Sequence, residues 1–198
     1  MHAGAAVRNV RRLAVYCGSA SGTDPRFADA TRALAAAMVE AGVDLVYGGG
    51  RLGLMGVVAD AVLEGGGKVY GVIPAALVDL EVAHPGLTEL HQVQTMHERK
   101  ALMTELADGF VALPGGIGTL DELFEAWSWN ALGYHAKPFC LLNVAGFWDQ
   151  LIGFIDHASA SGFLSPARRA QLLVAGTPED TLKQLDEAAA RAAQGMVW

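Results

Sequence analysis

Residues 111–127 read VALPGGIGTLDELFEAW and join a strand-like run, a glycine turn and a helix start in one short stretch. The apolar run stops at Pro114, three glycines follow, and helical spacing resumes near Thr119. A strand that ends in glycine and leads directly into a helix is typical of parallel α/β sheets, whose ligands bind beyond the carboxyl ends of the strands. The stretch therefore predicts a strand–turn–helix unit with its turn facing a ligand.

The same alternation continues along the whole chain. Apolar runs such as RLAVYCGS, VDLVYGGG, KVYGVIP and, last, KPFCLLNV are separated by helical patterns, and two further helices are expected at 147–160 and 178–193. Strands separated by helices imply right-handed crossovers. We expect an α/β fold of Rossmann-like type: a mostly parallel sheet with helices on both faces. One domain is expected over residues 11–198, after a loose tail at 1–10.

Composition and charge exclude several classes of protein. Apolar residues make up 52% of the 198 residues, which indicates a globular chain, and no apolar run approaches the ~18 to 20 residues that span a bilayer. The net charge of −7, without a basic stripe, argues against nucleic acid as a partner. Cys17 and Cys140 lack metal or redox spacing, so we expect reduced thiols and a cytoplasmic protein.

Three glycine- or serine-rich turns, CGSASG, YGGGRLG and LPGGIGT, end strands at the same predicted edge. Together they favour a nucleotide or sugar phosphate as ligand, since glycine lets the backbone approach it closely. GGGRLG matches the dinucleotide pattern GxGxxG only weakly, because no acidic residue ends KVYGVIP. Leu54 also replaces the P-loop lysine. A tight turn without ligand contact stays open for Gly48 and Gly49.

The turn at PGGIGTLDE allows two interpretations. Gly115, Gly116 and Gly118 free the backbone, and amide groups at the following helix start would bind an anion. Alternatively, Thr119 is the N-cap and Glu122 closes a capping box, S/T-x-x-E, without any ligand. The residues alone leave the two interpretations about even.

Arg99 and Lys100, in TMHERKALM, supply cations for such an anion. Cations are mildly unfavourable in the first turns of a helix, so this placement has no local structural reason. A guanidinium binds oxygen atoms in a fixed, forked geometry. A solvated basic pair on the helix surface is the alternative.

PGGIGTLDE, MHERK and YGGGRLGLMG together resemble the Lonely Guy (LOG) family of cytokinin-activating phosphoribohydrolases, often labelled lysine decarboxylases. The resemblance covers about residues 11–190. It implies a Rossmann-like homodimer that hydrolyses the N-glycosidic bond of N6-modified adenosine 5′-monophosphates to free base and ribose 5-phosphate. No metal or cofactor is expected. In particular, no lysine occupies a recognisable site for pyridoxal phosphate, so the decarboxylase label has no chemical support.

Carried over by motif, Arg99 and Glu122 form the catalytic pair, and Ser128 stands where many relatives have threonine. The expected substrate-binding set combines the resemblance with the glycine turns: Gly18, Ser19, Gly48, Gly49, Glu81, Lys100, Gly115, Gly116, Ile117, Gly118, Thr119, Leu120, Asp121 and Ser128. The expected partners are a small nucleotide and a second copy of the chain, with no membrane or nucleic acid. The alternatives are an AMP nucleosidase and a non-catalytic nucleotide carrier of the molybdenum-cofactor carrier type.

Overall fold

A seven-stranded sheet forms the centre of the computed structural model, which describes residues 8–78 and 82–195. Every pair of neighbouring strands is parallel, and the order across the sheet is β4-β3-β2-β1-β5-β6-β7. The strands are β1 (Arg12–Tyr16), β2 (Asp44–Tyr47), β3 (Val69–Pro74), β4 (Glu89–Val93), β5 (Gly109–Ala112), β6 (Phe139–Leu142) and β7 (Leu172–Ala175). The predicted parallel sheet is confirmed.

Helices connect the strands in nearly every interval. They are α1 (Pro25–Glu40), α2 (Gly53–Glu64), α3 (Met96–Leu106), α4 (Ile117–Ala131), α5 (Asp149–Ala160), α6 (Pro166–Gln171) and α7 (Pro178–Ala193). Between β3 and β4 the described residues form a short 3-10 turn at Ala75–Leu77 and an isolated antiparallel bridge between Ala83 and Gly50. Gly42 follows the end of α1 with a φ of +67°, the left-handed conformation that commonly terminates a helix.

Two hydrophobic layers cover the sheet. Leu13 and Val15 of β1 pack in the layer that contains α1, α2 and α7, whereas Ala14 and Tyr16 pack in the layer that contains α3, α4 and α5. Because both faces of the central strands are buried, these strands are continuously apolar instead of alternating. The α/β class with helices on both faces is confirmed.

The three glycine turns meet where the strand order reverses, beyond β1 and β5. The amide of Gly18 donates to the carbonyl of Pro114 over 3.1 Å, and the amide of Leu54 donates to the carbonyl of Gly18 over 3.0 Å. Gly53 has a φ of +58°, and a Cβ there would overlap the backbone of Ser19. In open α/β sheets this switch point is the place where ligands bind.

The structure differs from the pattern at two places. Helix α6 and strand β7, which follow α5, were not predicted. At the other end, the amides of Asn9 and Val10 both donate to Asp186 Oδ1, and Val10 is buried. Residues 9 and 10 are thus held against α7, while the loose tail at 1–10 stays a prediction, and residues 1–7 lie outside the described part.

Cys17 and Cys140 are buried free thiols, as expected. Within the described ranges, no helix is long and apolar enough to cross a membrane.

Candidate active site

A cavity of about 210 Å³ lies at the switch point, between the starts of α3 and α4 and the end of β1. It brings together nine of the expected site residues: Arg99, Glu122, Gly18, Ser19, Gly116, Ile117, Gly118, Thr119 and Asp121. Three residues that sequence reasoning missed complete the lining: Cys17, Met55 and Met96. Each of these lies within a quoted motif (CGSASG, YGGGRLGLMG and MHERK), so membership of those motifs was the available signal.

Helix α4 presents backbone amides to this cleft. Gly116 is the N-cap, without a side-chain capping bond, and the first helical hydrogen bond runs from the amide of Leu120 to the carbonyl of Gly116 over 3.1 Å. The amides of residues 117–119 precede that bond and lie where a helix end attracts anions. A Cβ added to Gly116 or Gly118 would meet no protein atom within 4 Å, so the surface above both residues is open.

The capping-box interpretation of α4 is wrong. Thr119 is the third residue of the helix instead of its N-cap, and its side chain is buried below Gly115. A Cβ on Gly115 would overlap Thr119 Oγ1, so glycine is required there for the turn to pack on the helix. A related capping arrangement exists at α3, where Thr95 Oγ1 accepts from the amide of Glu98 and Glu98 Oε2 accepts from the amide of Gln94.

Arg99 is buried at the floor of the cleft, with 3% of its surface exposed. Its Nη2 donates to the carbonyl oxygen of Gly48 over 2.9 Å. A Cβ on Gly48 would overlap that nitrogen, so the second glycine turn is shaped around the guanidinium. The alternative of a solvated basic pair is therefore wrong for Arg99, because its guanidinium is buried and depends on protein partners instead of water.

Glu122 lies on the same face of α4 as Gly118, because residues four apart are stacked on a helix. The separation along the axis is about 6 Å at 1.5 Å per residue. Burial, and then the charge of Glu122, raise the pKa of the Cys17 thiol well above its ordinary range. The pKa of Tyr16 is also raised, first by burial and then by Glu122 and Glu125. The Cys17 thiol and the Tyr16 hydroxyl thus stay protonated at neutral pH.

Lys100 lies behind the cleft and does not line it. Its Nζ contacts Asp121 Oδ2 at 3.0 Å and Glu125 Oε2 at 2.9 Å, both on α4. Burial lowers the pKa of Lys100, but its hydrogen bonds to Glu125 and Asp121 and their charges outweigh burial and leave the pKa raised. Lys100 is not a solvated surface cation either.

The remaining expected residues have other positions. Ser128 is exposed on a separate, mostly apolar groove along α4, and Leu120 packs at the edge of the core. Gly48 and Gly49 are buried below the cleft, where the carbonyl of Gly49 accepts from the amide of His84. Direct ligand contact by these residues stays a prediction, and Glu81 lies outside the described residues.

A larger cavity, of about 440 Å³, opens at the opposite edge of the sheet, below the start of β6. Two cationic side chains that line it form hydrogen bonds with the backbone: Arg168 Nη2 donates to the carbonyl of Ala131, and Lys137 Nζ donates to the carbonyl of Thr104. No carboxylate is among the described residues that line it. The cleft at the switch point, although smaller, is the cavity that brings the expected catalytic residues Arg99 and Glu122 together.

The fold and the cleft define a Rossmann-like α/β protein with an anion-attracting helix end beside a carboxylate and a buried guanidinium. No cluster of metal-binding side chains was found within residues 8–78 and 82–195. Solved structures with this fold include the molybdenum cofactor carrier protein of Chlamydomonas reinhardtii, at 19% identity and a TM-score of 0.66, covering 90% of this chain and 98% of that one. The molybdenum cofactor binding protein of Rippkaea orientalis matches at 19% identity and a TM-score of 0.63, covering 94% and 97%.

Sequence comparison shows the family. A family model described as possible lysine decarboxylase matches residues 55–185. The chain is 47% identical over 188 residues to the cytokinin riboside 5′-monophosphate phosphoribohydrolase LOG of Oryza sativa subsp. japonica, covering 95% of this chain and 78% of the rice protein. It is 46% identical to the enzyme of that name from Rhodococcoides fascians, covering 83% of each. The chain belongs to the LOG family.

Proposed function

We propose that the protein hydrolyses the N-glycosidic bond of N6-modified adenosine 5′-monophosphates, releasing the free base and ribose 5-phosphate. The observation that carries the proposal is the convergence of Arg99, Glu122 and the amide end of α4 in one cleft of a LOG-family chain. The motifs of the resemblance are far apart in sequence, yet they line a single cavity. A carrier would have no need for a carboxylate and a buried guanidinium together.

The spacing along α4 fits the proposed substrate. A phosphate bound at the amides of residues 117–119 lies about one helical turn, ~5.4 Å, from the level of Glu122. A ribose extends from its 5′-phosphate to C1′ over a comparable length. The glycosidic bond then lies beside the carboxylate, while the phosphate lies away from it.

The reaction needs charge stabilisation at C1′. As the C1′–N9 bond breaks, its electron pair leaves with the purine and the ribose gains oxocarbenium character. The ionised Glu122 stabilises that positive charge and accepts a proton from the attacking water, whose oxygen forms the new bond to C1′. The purine takes up a proton, so that water is divided between the two products. Arg99, fixed by Gly48, orients the ribose oxygens, and phosphate binding contributes affinity at a point remote from the bond.

The direct experiment incubates the protein with AMP and with N6-isopentenyl-AMP and measures free base and ribose 5-phosphate. Release mainly from the isopentenyl nucleotide supports the proposal. Release mainly from AMP supports the AMP nucleosidase, and binding without release from either nucleotide supports the carrier.

We also propose that the protein acts as a homodimer. An apolar groove of about 330 Å³ lies between α4 and α5, and the exposed aromatic side chains Phe124 and Phe154 line it. A second copy is the proposed occupant, because the groove is built on α4, the helix that carries Glu122, and because Ser128 lies on it. Contact there would connect the expected site residue Ser128 with the interface.

The two buried thiols support a reducing, cytoplasmic compartment.

A further inference from the structure

Lys100 joins helices α3 and α4 through two carboxylates. Its side chain is 14% exposed, and its Nζ lies 3.0 Å from Asp121 Oδ2 and 2.9 Å from Glu125 Oε2. Asp121 lines the cleft, whereas Lys100 does not. The lysine therefore reaches the cleft only through its partners.

The acidic residues of α4 pose an electrostatic problem for the proposed substrate. Asp121, Glu122 and Glu125 lie within five consecutive positions, directly after the amides proposed to hold a phosphate. Like charges at these separations repel strongly in a partly buried site. Lys100 contacts two of these three carboxylates and offsets the charges of Asp121 and Glu125.

Of the two carboxylates that Lys100 contacts, Glu125 depends more on the lysine for compensation of its charge. Glu125 is half-buried, and its Oε1 is buried without a hydrogen-bond partner among the described residues. A carboxylate in this position is costly unless it is paired with an opposite charge. Loss of Lys100 alone would leave both Glu125 and Asp121 uncompensated beside the cleft.

We propose that Lys100 is a positioning residue that neutralises Asp121 and Glu125 and holds α3 against α4, instead of a ligand of the substrate's phosphate. The inference rests on the proposed function for the identity of the anion. It gives the adjacent residues Arg99 and Lys100 different tasks, one in the cleft and one behind it. Residues next to each other on a helix point in directions about 100° apart, which allows this division.

The experiment compares Lys100→Met, the double variant Asp121→Asn/Glu125→Gln, and the triple variant that combines all three changes. Equilibrium binding of ribose 5-phosphate is measured by calorimetry, and the fold is followed by thermal unfolding. We expect Lys100→Met to weaken binding at least about tenfold, because two unpaired carboxylates remain beside the phosphate. The triple variant is expected to bind at least about tenfold more tightly than Lys100→Met, since amides of the same shape replace the two carboxylates that repel the phosphate.

A triple variant that binds as weakly as Lys100→Met would overturn the proposal, because a phosphate ligand cannot be replaced by removing acids. Unchanged binding in Lys100→Met would overturn it too. If Lys100→Met fails to fold, the double and triple variants are compared with each other, because they differ only at residue 100. Equal affinities of these two variants for ribose 5-phosphate support the proposal, and a tenfold weaker affinity of the triple variant contradicts it.

Turnover by the wild-type protein separates this inference from the proposed function. Wild-type protein that binds ribose 5-phosphate but releases no base from the nucleotides would contradict the hydrolysis, while the rescue pattern still decides the role of Lys100. Wild-type protein that releases base from the nucleotide but does not bind ribose 5-phosphate would overturn the role of Lys100 and leave the proposed hydrolysis intact.

Discussion

Arg99 Nη2 donates a hydrogen bond to the carbonyl oxygen of Gly48 over 2.9 Å, across the floor of the cleft. The contact joins α3 to the turn after β2, two segments that are distant in the sequence. Because a Cβ on Gly48 would overlap the same nitrogen, the glycine and the guanidinium form one unit. The position of Arg99 is thus set by the absence of a side chain at residue 48.

The first prediction is that Gly48→Ala displaces the Arg99 guanidinium and lowers kcat by about 10²-fold, the usual scale for an ångström-sized misplacement of a catalytic group. The measurement is steady-state release of ribose 5-phosphate. Gly176→Ala is the matched control, because Gly176 also follows a parallel strand of the sheet and a Cβ there meets no atom within 4 Å. Equal kcat values for the two variants would show that the position of Arg99 does not affect catalysis.

The second prediction concerns the amide end of α4. Gly118→Ala should raise the free energy of unfolding by up to about 1 kcal/mol, because alanine favours a helix over glycine and the added methyl meets no protein atom. The same methyl projects into the place proposed for the phosphate, so we expect KM for the nucleotide to rise at least about tenfold.

Gly153→Ala serves as its control, since Gly153 is an equally open helical glycine in α5. It should give a similar gain in stability and leave KM unchanged. A Gly118→Ala variant with wild-type KM would place the phosphate elsewhere.

The third prediction tests the proposed homodimer. Phe154, which is 65% exposed on the groove between α4 and α5, is replaced by glutamate. A charge in an apolar interface carries a large desolvation cost, so Phe154→Glu should convert dimer to monomer in light scattering coupled to gel filtration. Ala33→Glu, on the exposed surface of α1 at the other face of the sheet, should leave the mass unchanged. A wild-type protein that is monomeric at all concentrations would refute the dimer.

The fourth prediction is a pH dependence of stability. Burial, and then the charge of Lys137, lower the pKa of His135 to about 4. Between that value and the ordinary histidine pKa of about 6.5, the unfolded chain binds a proton that the folded chain does not. The contribution of His135 is therefore fully present above about pH 6.5 and is lost as the pH falls towards 4.

Urea unfolding at pH 7.5 and pH 5 measures this effect in wild type and in His135→Gln. The carboxylates contribute equally to the pH dependence of both proteins. The difference between wild type and variant in their loss of unfolding free energy therefore measures the contribution of His135. Wild type should lose more stability than the variant between the two pH values. Identical losses would show that His135 is protonated as easily in the folded chain as in the unfolded one.

The sequence predicted the strands that have glycine turns or clear apolar runs, and it missed β7, which directly follows a helix. Gln171 ends α6 and Leu172 starts β7 without any loop between them. A run of four apolar residues directly after a helical turn cannot be distinguished from more helix by its pattern. The order of the strands depends on long-range pairing, which no local pattern contains.

The site residues were also predicted in part. The motifs predicted which segments converge, but Thr119 and Glu122 satisfied a local capping rule that the structure does not use. The helix begins earlier, at Ile117, because Gly116 can act as the N-cap. The separate surroundings of Arg99 and Lys100 were also beyond prediction, since partners on α4 and in the turn after β2 come close only in the folded chain.

The most direct test of the central claim is turnover by Glu122→Gln with N6-isopentenyl-AMP as substrate. We expect a loss of at least about 10²-fold in kcat with cooperative unfolding retained, because the amide keeps the shape of the side chain but lacks its charge and its basicity. Glu64→Gln, an exposed change near the end of α2, should release ribose 5-phosphate at the wild-type rate. Near-normal turnover by Glu122→Gln would contradict the catalytic role of Glu122.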